Sequence, residues 1–142
     1  MLSTSPGLAL DVSKFAARRA ARAHSRVGAV VCDVWRRLPV RTGSAALVLD
    51  VFAPRNGAEI ARVLHPDGTL ALVAPTDRHL AELVEVLGLL TVDPRKQEHL
   101  DVALGPHLEL VRSEVREFSM TLDQAAVTAA AQSGGASLGN IG

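Results

Sequence analysis

Apolar and polar positions alternate along this chain in short blocks. Leu8 to Leu10 is an apolar run that ends on Asp11, and Ser13 stands where an N-cap would open a helix reaching to about Ala23. Val27 to Cys32 (VGAVVC) is a β-branched run ending on Asp33. The piece DVWRRLPVRTGS has the Pro and Gly of a connection, and Ala45 to Phe52 (AALVLDVF) predicts a third strand. Ala53-Pro54-Arg55-Asn56 leads into the helix GAEIARVL, with Ile60, Val63 and Leu64 on one side, closed by the turn signal His65-Pro66-Asp67-Gly68.

Thr69 to Ala74 (TLALVA) predicts a fourth strand. Pro75-Thr76-Asp77 opens a helix from Arg78 to about Leu87, and a short helix is expected from Pro94 to Leu104. His107 to Met120 alternates, which predicts a C-terminal antiparallel hairpin with Leu108, Leu110, Val115 and Phe118 on its buried face. Strands and helices in alternation predict an α/β fold around one mainly parallel sheet, covered on both faces. The expected domain covers 1–130, and the small polar residues of 131–142 predict a disordered tail.

Composition changes this picture little. The chain has 142 residues, 48% of them hydrophobic but only 3% aromatic, so its core must be built from Leu, Val and Ala. Fifteen Lys and Arg balance fifteen Asp and Glu, so no global field attracts nucleic acid, and only local clusters such as Arg18, Arg19 and Arg22 offer basic contacts. The lone Cys32 excludes an internal disulfide and a cysteine-based zinc site in this chain, and suits a reducing, cytoplasmic setting. No apolar run is long enough for a membrane span, so no membrane partner is expected.

The candidate chemistry sits at strand ends. In doubly wound folds ligands bind at the carboxyl ends of the strands, where an acid accepts ribose hydroxyls. Asp11 has that place, and Asp33 on the next strand could accept from an adenine amine; either could equally be a turn-forming Asp. Ala53-Pro54-Arg55-Asn56 would border the same crevice, or serve only as a rigid entry to a helix. His24, His65, His79, His99 and His107 lack metal-ligand spacing, and no metal is expected. No P-loop or G-x-S-x-G stretch is present, which counts against NTPases and hydrolases.

The segments GLALDVSKFAARRAA, VVCDVWRRLPV, FAPRNGAEIARVLHPDGTLALVAPTDRHLAEL and LLTVDPRKQEHL resemble the bacterial 23S rRNA guanine-N1 methyltransferases, in order from about Gly7 to about Val127. The resemblance implies a Rossmann-like class I methyltransferase fold that binds S-adenosylmethionine and methylates N1 of a guanine in 23S rRNA. By the same resemblance Asp11 with Val12 meets the ribose and Asp33 with Val34 the adenine. Phe52, Ala53 and Pro54 lie beside the methyl donor and target base, and Arg55, Arg78 and His79 face RNA. Guanine N1 must lose a proton, and Asp50 is the candidate acceptor.

The chain departs from that family at its ends. The cysteine-bound zinc module, the first strand and its glycine-rich turn are not in the sequence, and AAQSGGASLGNIG stands where a Met-x-Pro segment is expected. The expectation is therefore an N-terminally truncated domain, impaired in catalysis when isolated, with the sheet edges beside the lost strand exposed. The alternative is a non-catalytic module that pairs this edge with a second copy or another chain. A nicotinamide-binding domain ranks last, for want of a G-x-G-x-x-G loop.

Overall fold

The structure of the protein is a computed structural model that describes residues 4–76, 78, 79, 81 and 102–129. The chain forms two compact units, Met1–Ala74 with Glu98–Glu109, and Pro75–Gln97 with Leu110–Gly142. The first contains β1 (Gly7–Asp11), α1 (Lys14–Ala21), β2 (Val27–Val31), β3 (Ala45–Val51), α2 (Gly57–Val63) and β4 (Leu64–Val73).

β1 and β2 pair in parallel, from Gly7 opposite Val27 to Asp11 opposite Val31, and the Cys32 N–H extends the ladder to the Asp11 carbonyl at 3.0 Å. Their crossover is α1, which opens as the sequence predicts: the Ser13 hydroxyl accepts from the Ala16 N–H at 3.3 Å. Ala17 is buried and Ala16 and Ala20 are half-buried, so small side chains let the helix lie close to the strands. The helix stops at Ala21, two residues short of expectation, where Arg22 and Ala23 donate to carbonyls three residues back and tighten the last turn.

β3 and β4 form a second parallel pair, with α2 as their connection. α2 runs directly into β4 at Leu64, so the expected turn at His65-Pro66-Asp67-Gly68 does not separate helix from strand. It lies within β4 instead: Ala45 pairs with Leu64 but Leu47 with Thr69, so residues 65–68 leave the ladder as an excursion. Ile60 and Val63 of α2, Leu64 where β4 begins, and Ala17 of α1 are buried, so all three residues that the helical spacing places on one side are inside.

The sheet expectation needs correction. Both pairs are parallel, but among the described residues they are separate two-stranded sheets, because no ladder joins β1 or β2 to β3 or β4. Among the described residues, one face of the β3–β4 pair is also left open. Leu47, Leu49 and Val51 alternate along β3 onto one face and are exposed, as is Val73 opposite Val51. Asp50, pointing to the other face, is buried.

The C-terminal hairpin is also corrected, since residues 108–123 contain no strand. Leu110, Val115 and Phe118, expected to be buried, are 74%, 68% and 77% exposed. Alternation makes an apolar face, but a strand also needs a partner backbone, and the described residues offer this segment none. Local ion pairs form instead, with Glu114 between Arg112 and Arg116 at 2.8 Å from each. An unpredicted helical segment follows at 124–129, capped by Asp123, whose carboxylate accepts from the Ala126 N–H at 2.8 Å. Residues 102–104 are helical; the rest of the helix expected to end at Leu104, most of the one expected from Arg78, and the tail lie outside the described residues. Among the described residues no helix is long and apolar enough to cross a membrane.

Candidate functional site

Asp11 and Asp33 come together at the carboxyl ends of β1 and β2. Each closes a tight turn: Asp11 Oδ1 accepts from the Ser13 N–H at 2.7 Å, and Asp33 Oδ1 from the Trp35 N–H at 2.9 Å. The turn role occupies one oxygen of Asp11, and Oδ2 has no hydrogen-bond partner among the described residues. Asp33 Oδ2 lies 3.6 Å from Arg36 in an exposed pair, so its carboxylate is more fully engaged. Between them lies Cys32, whose thiol is pushed up by burial and then by the charges of Asp33 and Asp11. It stays protonated at neutral pH, an inert group rather than a nucleophile.

The end of β3 is built around Asp50. Its Oδ1 accepts from the Ala53 N–H at 3.3 Å, tying the strand to the Phe52–Pro54 turn. Burial pushes the Asp50 carboxyl above its ordinary range, opposed by that hydrogen bond and by the nearby Arg55 charge. Phe52 holds φ at 54°, in the left-handed region that costs a non-glycine residue energy, while its N–H still reaches the Val73 carbonyl at 3.0 Å. The ring remains half-exposed. Arg55 is half-buried, and its Nε is a buried donor without a partner. Val12 is exposed and Val34 half-buried.

What joins these loops is Asn56, which sequence reading places only in a connection. Its Oδ1 caps α2 by accepting from the Glu59 N–H at 3.3 Å, while its Nδ2 donates to the Val34 carbonyl at 3.2 Å. One side chain thus binds the loop after β2 to the loop after β3. An Asn directly before a helix signals the cap, but nothing local signals the second bond. Asn56→Ala should cost about 1–2 kcal/mol by thermal unfolding. Asn56→Asp, which keeps the cap and loses the amide donor, should recover most of that stability but not the order of the 33–40 loop, read by hydrogen exchange.

A second lock was also missed. Arg62 uses all five guanidinium donors: two to the Glu59 carboxylate at 2.7 Å each, and three to Val40 O, Thr42 Oγ1 and Leu38 O at 2.9, 3.1 and 3.1 Å. Glu59 Oε2 in turn accepts from the Leu38 N–H at 2.7 Å. The Glu59–Arg62 spacing is visible in sequence, but the loop it grips is not.

Arg78 and His79 belong to the second unit and sit in a turn, with Arg78 paired to both oxygens of Glu117 at 3.1 and 3.2 Å. Among the described residues no three His, Cys, Asp or Glu side chains could hold a metal ion.

No protein-family model matches the chain. Curated relatives do. The chain is 58% identical over 106 residues to a Micromonospora griseorubida protein named as a 23S rRNA (guanine-N1)-methyltransferase, a match covering 75% of this chain and 36% of that protein. It is 53% identical over 121 residues to the 23S rRNA (guanine(748)-N1)-methyltransferase of Streptomyces fradiae, covering 85% and 43%. A similarly named protein of Bacillus subtilis is 36% identical over 90 residues, covering 63% and 31%. The match thus spans less than half the length of each relative. Over the matched residues, the chain is similar to proteins that carry the name 23S rRNA (guanine-N1)-methyltransferase.

Proposed function

We propose that this chain carries the adenosine side and the acceptor-facing loop of a Rossmann-like, S-adenosylmethionine-dependent methyltransferase acting on N1 of a guanine in 23S rRNA. The observation that carries the reading is the Asn56 bridge, which holds the Val34 loop of β2 against the Phe52–Arg55 loop of β3. A cofactor-binding loop and a substrate-facing loop must keep a fixed spacing for methyl transfer, since alignment supplies most of the rate.

The donor set fits the adenosine half of the cofactor. Asp11 keeps one carboxylate oxygen for ribose hydroxyls, Val12 follows it at the strand end, and Asp33 with Val34 borders the adenine. When bound, the cofactor supplies a methyl group already activated on a sulfonium. Phe52, Ala53 and Pro54 form the wall facing the target base. Asp50 organises this wall through Ala53 and, with Oδ2 free of partners among the described residues, can accept the guanine N1 proton once ionised. Arg55 adds a guanidinium charge to the same loop for an RNA phosphate, while its buried Nε has no partner.

Calorimetric titration of the 142-residue chain with S-adenosylmethionine tests this. Binding should saturate, and Asp11→Ala should weaken it by roughly 1.5–3 kcal/mol, about tenfold to a hundredfold in Kd. Asp11→Asn, which can keep the bond from Ser13, separates loss of the ligand charge from loss of the turn. No heat at millimolar cofactor would sink catalysis by this chain alone. That outcome favours the second reading, an interaction module, which the uncovered Leu47, Leu49, Val51 and Val73 face also supports.

A further inference from the structure

We infer that the outer face of α1 is an RNA-backbone contact, a phosphate-binding stripe beside the candidate cofactor acids; the choice of RNA rests on the function proposed above. Phe15, Arg18, Arg19 and Arg22 fall at i, i+3, i+4 and i+7, the spacing of a single helical face. In a buried helix this stripe would be apolar. Here the apolar stripe is Ala16, Ala17 and Ala20, turned to the strands, and the arginine stripe faces solvent. The four side chains line a surface hollow of about 460 Å³.

Charge is segregated on this element. Residues 14–26 contain Lys14, Arg18, Arg19, Arg22 and Arg26 and no acid, in a chain whose charges balance overall. Elsewhere five arginines are paired: Arg36 with Asp33, Arg62 with Glu59, Arg78 with Glu117, and both Arg112 and Arg116 with Glu114. Among the described residues no carboxylate pairs with any cation of α1. Like charges at Arg18 and Arg22 repel across one helical turn, a cost that a bound anion removes. The helix dipole favours Arg18 and Arg19 in the last turn, but it disfavours Lys14 in the first.

Phe15 decides what kind of anion fits. It is 70% exposed with the Lys14 ammonium 5.2 Å from its ring centre, so an aromatic platform and a row of guanidinium groups share one surface. A base stacks on such a ring while its phosphates follow the cations. A membrane surface would instead ask for a continuous apolar stripe, which on α1 is spent on the strands. The stripe starts at Phe15, two residues beyond the Ser13 that is bonded to Asp11, and runs ~10 Å along the helix. It would hold the strand flanking the target, with no role in the methyl transfer itself.

The probe is a fluorescent RNA hairpin carrying the segment around guanine 748 of 23S rRNA, titrated with the full chain by anisotropy at several salt concentrations. Replacing Arg18, Arg19 and Arg22 together by Gln should weaken binding at low salt tenfold or more. It should also lower the slope of log K against log salt by roughly 2–3, one counterion's worth per lost contact. The triple Lys variant should keep the slope, and Phe15→Ala should weaken binding with the slope unchanged. Circular dichroism shows whether each variant is folded, which these exposed positions should allow.

An unchanged slope in the folded Gln variant overturns the inference, as does absence of RNA binding by the unaltered chain. Equal binding to phosphatidylserine vesicles with no preference for RNA overturns it as well. Cofactor titration on the same samples separates the two readings: a chain that binds hairpin through α1 but takes no S-adenosylmethionine keeps this inference and loses the proposed methyl transfer. A chain that takes cofactor with an unchanged RNA slope does the reverse.

Discussion

Gly57→Ala is expected to destabilise the protein by about 3 kcal/mol, at the upper end of overpacking costs. Gly57 opens α2, and the Ala103 carbonyl oxygen lies so close that an added Cβ would overlap it; the Ala103 carbonyl carbon and His107 Cδ2 would stand 3.1 and 3.2 Å away. A flexible side-chain tip could yield cheaply, but a carbonyl oxygen moves only with its backbone. The turn at 105–107 and the adjoining helical residues 102–104 would therefore have to leave α2. Chemical denaturation should show the loss in midpoint, and limited proteolysis should show new cleavage at 102–108. Gly28→Ala is the control, because its Cβ would meet only Leu8 Cδ1 at an ordinary 3.6 Å. Equal stability of the two variants would show that Ala103 does not press on α2.

Breaking the Arg62 lock should have the next largest effect, and it should depend on pH. The guanidinium hydrogen bonds, followed by the Leu38 N–H, hold the Glu59 carboxyl down at about 2, against an ordinary 4.5. An acid whose folded pKa is depressed stabilises the fold above its unfolded pKa and loses that contribution as pH falls toward and through the folded value. Thermal unfolding should therefore fall between pH 4.5 and about 2 in the unaltered chain, and this limb should be shallower in Glu59→Gln.

Arg62→Ala strands the Glu59 carboxylate and the carbonyls of Leu38 and Val40 together, so at neutral pH it should destabilise more than Glu59→Gln does. Arg62→Lys should recover little, because a compact ammonium with three donors cannot reproduce a five-donor fork. Both side chains keep less than a fifth of their surface in solvent, which shelters the pair from salt. Recovery by lysine to the unaltered midpoint would show that charge alone, without the fork, holds the loop.

These effects reach the candidate site through the 33–44 connection. Arg62 fixes Leu38, Val40 and Thr42, and Asn56 fixes Val34, so α2 carries the loop that borders the proposed adenine contact. The residues of FAPRN that resemble a substrate-facing segment therefore also include the fastener of the cofactor-side loop. Composition could not reveal this, because Asn56 and Val34 are 22 residues apart and neither looks unusual in its own segment.

The sequence by itself determined the elements whose causes are local. Apolar runs bounded by Asp, Pro and Gly marked the four strands of the described residues, Ser13 marked the cap of α1, and the spacing of Ile60 and Val63 marked the buried side of α2. It also marked the acids at the strand ends and the resemblance that the curated relatives bear out over the matched residues. Tertiary structure decided whatever required a distant partner. Residues 107–120 alternate yet form no strand, because hydrogen bonds to another backbone are not encoded in alternation. Among the described residues two parallel pairs form instead of one continuous sheet for the same reason, and the His65–Gly68 signal became an excursion within β4 because β3 resumes pairing beyond it. A side chain's chemistry is written in its own residue, but its work in Asn56, Arg62 and Gly57 is set by backbone groups brought from 20 or more residues away, and only the fold supplies those.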